Sequence, residues 1–196
     1  MAAPLFIDVP PGRIAAVVTS LAMTVRPNPR PDPPVQGLSL ELLRPVTIDR
    51  YRDLFRLVGG DFLWFSRLLM ADDALEAILT DPAVEIYALN IDGNAAGLLE
   101  LDFRDGASCE LAFFGVAASA IGTGAGRWLM NRAIERAWGR PIDRFWVHTC
   151  SHDHPAALGF YIRSGFVPYR RQVEIVDDPR AISALPADAA RHIPIL

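Results

Sequence analysis

The chain has 196 residues, 51% of them hydrophobic and 21% charged, which suits one globular domain or a domain with an arm and excludes disordered, collagen-like and coiled-coil chains. All 19 basic residues are arginine and no lysine occurs, which excludes a Walker-type phosphate loop, a pyridoxal phosphate Schiff base and any lysine nucleophile or base. A formal charge of -4 argues against general affinity for nucleic acid or an anionic membrane surface.

Taken in chain order, Arg13 to Val25 is rich in Val, Thr, Leu and Met and reads as a strand. It has two available partners, the main sheet or a second subunit, and the latter would make a homodimer. Its apolar part, Ile14 to Val25, is too short to cross a hydrocarbon core of about 30 Å, so no membrane span is expected. Arg26 to Pro34 (RPNPRPDPP) holds five prolines in nine residues and reads as a linker, closing an amino-terminal arm over 1–37. A strand is predicted over Leu38–Leu43, then a helix capped by Thr47 or Asp49 and carrying Tyr51, Leu54, Phe55 and Val58. A second helical region follows, with Phe62, Phe65, Leu68 and Leu69 at core spacing, ending before Pro82. The period then changes to two, giving an antiparallel meander over Val84–Ile91, Ala95–Phe103 and Cys109–Val116. A helix over Gly124–Trp138, a strand over Arg144–Cys150, a helix over Pro155–Arg163 and a last strand over Val167–Val176 complete a domain spanning 38–176, before a tail of 177–196. Cys109 and Cys150 fit a reducing cytoplasm, where the protein is expected to reside.

The stretch Glu110 to Arg127, ELAFFGVAASAIGTGAGR, is a strand running through glycines at 122, 124 and 126 into a helix. Such a turn lets backbone approach an anion, and the unpaired N–H groups of the first helical turn suit a pyrophosphate. A dinucleotide fingerprint fails, because the sixth position counted from Gly122 is Arg127 and the preceding strands form a meander.

These residues resemble the GNAT superfamily of acyl-CoA-dependent N-acetyltransferases. Ile121-Gly122-Thr123-Gly124-Ala125-Gly126 is similar to its Q/R-x-x-G-x-G/A signature, with Ile121 in place of Gln or Arg. His154 to Phe166 resembles N-x-x-A-x-x-x-Y-x-x-x-G-F, keeping Ala157, Tyr161, Gly165 and Phe166 and replacing the asparagine by His154. The resemblance implies an α/β GNAT fold, a mixed, mostly antiparallel sheet splayed between its fourth and fifth strands and flanked by helices. It also implies acetyl-CoA as cosubstrate. The pantetheine would pair with backbone at Phe114 and Val116, and the diphosphate would lie on Gly122, Thr123, Gly124, Ala125, Gly126 and Arg127, with His154 nearby. Tyr161 stands at the family's usual acid. ELAFFGV looks like the E-x-x-F-x-x-V stretch in which the histone-acetylating branch carries its base, which selects Glu110; Glu100 on the adjacent strand is the second carboxylate to weigh. The acceptor implied is a primary amine on a small molecule or a peptide, with direct transfer or a Cys150 acyl-enzyme both open; Asp61, Trp64 and Phe65 fall in the region that usually walls the family's acceptor site, against the core reading of the same helical region. A noncatalytic acyl-CoA-binding regulatory or interaction module is the other function class. No metal is expected: the His148–His154 run breaks its alternation at Pro155, and His148 or His152 is instead a candidate for lining the acceptor site.

Overall fold

The computed structural model describes residues 3–196. Its elements are β1 (Arg13–Met23), β2 (Leu38–Leu42), α1 (Ile48–Gly59), α2 (Ser66–Leu69), α3 (Asp72–Thr80), β3 (Val84–Ile91), β4 (Asn94–Asp102), β5 (Ser108–Val116), α4 (Ala125–Ala137), β6 (Arg144–Cys150), α5 (Ala157–Arg163) and β7 (Val167–Asp177). The strands form a seven-stranded open sheet in the order β2-β3-β4-β5-β6-β1-β7, antiparallel throughout except where β5 meets β6. This is the mixed, mostly antiparallel α/β architecture expected.

Local chemistry explains the elements. The Thr47 side chain accepts from the Arg50 N–H and caps α1, and Asp72 and Asp73 sit in the first turn of α3, where the helix dipole favours negative charge. The β3–β4 turn places Asp92 and Gly93 at φ 49° and 80°, the twist that a two-residue hairpin requires. One expectation is corrected: the second helical region is not continuous. Leu63 adopts φ 56° after a short 3-10 turn at Gly60–Phe62, and extended backbone at Met70 and Ala71 separates α2 from α3.

Of the two partners available to the amino-terminal strand, the main sheet is the one observed. β1 lies between β6 and β7, antiparallel to both, with Leu21 and Met23 buried. Alternation along β4 feeds two cores on opposite faces. Leu99 and Leu101 join Leu129, Phe145, Tyr161 and Phe166 beneath α4 and α5, while Leu98 joins Tyr51, Phe55 and Leu75 beneath α1 and α3. A third, small cluster ties the tail down through Ile14, Leu63 and Leu185. There Arg180 is almost wholly buried, paired with Asp178 at 2.7 Å and donating to the Ile193 carbonyl at 2.7 Å.

Candidate active site

The site begins where two parallel strands part. β5 and β6 pair only over Ser108–Glu110 and Arg144–Trp146. Immediately beyond, β5 bulges: Phe113 faces Glu100 and Leu111 faces Leu101, so Ala112 is an extra residue. A bulge bends its strand and increases local twist, which turns β5 away from β6. Backbone on the β6 side of Leu111–Val116, including Phe114 and Val116, is therefore left without a strand partner. A cavity of about 850 Å³ occupies the gap.

One end of this cavity is formed by the glycine turn. Gly122 and Gly124 have φ of 81° and 102°, a region that L side chains avoid, and a Cβ added at Gly126 would meet open space. Thr123 Oγ1 donates to the Ala120 carbonyl at 2.8 Å and accepts from the Ala125 N–H at 3.3 Å, fixing the turn that starts α4. Gly122, Thr123, Gly124, Gly126 and Arg127 all line the cavity; Ala125 is buried behind them. His154 also lines it and takes over a capping task open to asparagine, its Nδ1 accepting from the Ala156 N–H at 3.1 Å just before α5.

Tyr161 lines the cavity from α5, its ring against Phe114, Phe160 and Phe166. Burial, with a smaller contribution from the Asp153 charge, pushes its phenol pKa far up, so the hydroxyl keeps its proton across the working pH range. Glu110 sits at the apex of the splay, the last paired residue of β5, and its side chain is 26% exposed. It borders the cavity without lining it: its neighbour Leu111 and His148 across the gap do line it. Desolvation, helped by the charges of Asp102 and Glu100, raises the Glu110 carboxyl to about 7. His148 Nδ1 lies 3.7 Å from Glu110 Oε1, beyond direct hydrogen-bond distance.

Glu100 is a different case. It is fully buried, accepts from Arg67 Nη2 at 2.5 Å and from the Tyr51 hydroxyl, and faces α1 rather than the gap. Its environment is that of a structural ion pair. His152 is likewise set aside, its Nε2 held at 3.0 Å from the Ala15 carbonyl. Cys150 does line the cavity, but burial and the Asp153 charge push its thiol up to about 11, which disfavours the thiolate. Among the described residues no group of three or more His, Cys, Asp and Glu is placed to hold a metal, and no helix is long and apolar enough to cross a membrane.

Trp64 and Phe65, weighed between acceptor wall and core, both line the cavity, and Asp153 joins them as a residue with no signal in the sequence. Trp64 spans the gap by donating from Nε1 to Asp153 Oδ1 at 3.2 Å while its ring packs on Phe55 and Phe113. It fits only because Gly59 lacks a side chain where it passes: a Cβ there would come within 2.2 Å of the indole ring. Asp153 in turn accepts from Thr149 Oγ1 at 2.6 Å and from the Cys150 N–H at 2.8 Å, holding the end of β6 in place. Of the four residues at core spacing, Phe62 and Phe65 wall the cavity and Leu69 is half exposed; only Leu68 packs inward. The proline-rich segment is also part of the wall, through Arg30, Pro33 and Pro34.

Comparison with known proteins agrees with this geometry. No curated protein matches the chain. Among solved structures, a GCN5-related N-acetyltransferase from Sphaerobacter thermophilus is similar at 16% identity and TM-score 0.59, covering 86% of this chain and 53% of that one. An IAA acetyltransferase from Bacillus cereus is similar at 18% identity and TM-score 0.52, covering 68% and 79%. An aminoglycoside acetyltransferase from an uncultured soil metagenomic sample is similar at 16% identity and TM-score 0.54, covering 66% and 88%. The chain thus spans about half the length of the first of these, and at such identities the likeness is one of fold. Residues 51–166, from the first turn of α1 to the residue before β7, match the acetyltransferase (GNAT) family, and the chain belongs to that family.

Proposed function

We propose that the protein is an acetyl-CoA-dependent N-acetyltransferase that acts on a primary amine by direct transfer, in the cytoplasm, where its two thiols stay reduced. The observation that carries this reading is the splay itself: unpaired β5 backbone, a glycine turn with positive φ and open space at Gly126, all on one cavity. These features fit the cosubstrate. Phe114 and Val116 would hold the pantetheine by their backbone, as an added strand. Gly122 to Arg127 would hold the diphosphate. Bound acetyl-CoA supplies an activated acyl thioester whose sulfur departs as a thiolate.

The chain's own residues handle the protons. Glu110, with its carboxyl near 7, takes one from the acceptor ammonium through a bridging water or His148, leaving the amine nucleophilic. Tyr161 holds a proton at its phenol and is the group available to donate it to the leaving sulfur. The raised Cys150 thiol favours direct transfer over an acyl-enzyme. Aromatic walls at Phe62, Trp64 and Phe65, with the carboxylates of Asp153 and Glu174 on the same cavity, suit a cationic amine on a small molecule or peptide. The test is thiol release from acetyl-CoA across a panel of primary amines: amine-dependent release supports the reading, and CoA binding without release on any amine would make the protein a noncatalytic acyl-CoA module.

A further inference from the structure

The segment between β1 and β2 is held along α4 by specific contacts. Asn131 Nδ2 donates to the Arg30 carbonyl at 2.8 Å and to Asp32 Oδ1 at 2.6 Å, and Arg132 pairs with Asp32 at 2.6 Å. Pro33 stands so near the glycine turn that a Cβ on Gly124 would come within 2.8 Å of it. The backbone at Arg30 is thus fixed while its guanidinium is not engaged.

Arg30 borders two cavities. One is the cavity of the splay; the other, of about 330 Å³, lies between the segment and α4. Arg30 and Arg127 line both, Arg163 the first and Arg26 the second. Among the described residues none of these four forms an ion pair, although Arg132 on the same second cavity is matched by both Asp32 and Glu135. Arg127 Nε is buried with no partner at all. The carboxylates on these cavities are Asp32 and Glu135, which pair with Arg132, and Asp153 and Glu174, which pair with none of the four. Like charges without ion-pair partners repel one another, and arginine forks suit phosphate, so an anion bound between them would relieve both deficits.

We propose that Arg30 and Arg127 bind the nucleotide end of the acyl-CoA, with Arg30 on its ribose 3′-phosphate, so that the proline-rich segment is a part of the cosubstrate site that selects CoA over carriers lacking this phosphate. This rests on the acetyl-CoA reading above. Arg30 lies outside the residues that match the family, so the contribution belongs to this chain's own arm. The experiment is calorimetric titration of the full chain and its Arg30→Gln variant with CoA and with 3′-dephospho-CoA. The wild type is expected to bind CoA about tenfold more tightly, the scale of a charge-assisted contact. Arg30→Gln should lose that factor for CoA and leave the affinity for 3′-dephospho-CoA unchanged. Equal losses for both ligands, or no loss for CoA, would overturn the assignment of Arg30 while leaving the acyl-CoA reading intact. Failure of folded wild type to bind either ligand would instead overturn that reading and this proposal with it.

Discussion

Glu100 and Glu110 stand on adjacent strands of one sheet, yet their surroundings differ in every respect that matters for chemistry. Around Glu100 the sheet is continuous and α1 covers it, so the carboxylate is fully buried and met by Arg67 and Tyr51. Around Glu110 the sheet opens, the only basic side chain within ion-pairing distance among the described residues is His148 at 3.7 Å, and burial, helped by the charges of Asp102 and Glu100, governs its proton. The same side chain is structural where the lattice of strands is closed and titratable near neutrality where it parts. A bulge of one residue, Ala112, separates the two environments.

The largest contrast is in stability. Glu100→Ala leaves the Arg67 charge buried and unpaired and is expected to cost about 3–5 kcal/mol in denaturant unfolding, whereas Glu110→Gln should fold normally. Activity reverses the order: Glu110→Gln should lower kcat/KM about 100-fold at neutral pH. In the wild type log kcat/KM should rise with pH and level off above about 7, because the base works only when deprotonated, and the variant should lack this limb. An unaltered profile in the variant would remove Glu110 as base. Tyr161→Phe should reduce kcat by about tenfold with CoA affinity unchanged, which steady-state and titration data together would check.

The smallest effect is also the most specific. An unfolded glutamate releases its proton near 4.5, while Glu110 in the folded chain holds it to about 7. Between those values the folded state binds more protons, so stability falls as pH rises through that window. Glu110→Gln should therefore raise the melting temperature at pH 8 and leave it nearly unchanged at pH 4; equal shifts at both would mean that packing, not charge, is responsible.

Much of the fold was legible because its signals are local. Period-two alternation located β3, β4 and β5, the Asp92-Gly93 pair their first turn, and the glycines of 122–126 the start of α4. What escaped is set by contacts distant in sequence. Nothing near Arg13–Met23 says that it will lie between β6 and β7, since its partners are more than a hundred residues away. The proline-rich segment reads as a connector, because prolines announce backbone stiffness and not the α4 surface on which Asn131 and Arg132 hold it. Glu100 and Glu110 could not be ranked as bases from spacing alone: the partners that immobilise Glu100 lie 33 and 49 residues away. For the seat of Trp64 a signal was present in Gly59, whose missing side chain clears its path, but only the folded chain brings the indole against it.

Calorimetric titration of acetyl-CoA into the wild type and into Gly126→Glu tests whether the opened half of the sheet is an acyl-CoA site. Gly126 is the fitting position because its Cβ would enter open space, while a side chain at Gly124 would also displace Pro33. One molecule should bind per wild-type chain, and the affinity should fall more than about 100-fold in the folded variant, whose carboxylate would repel the diphosphate. Equal affinities in the two proteins, or no binding by folded wild type, would contradict an acyl-CoA site there.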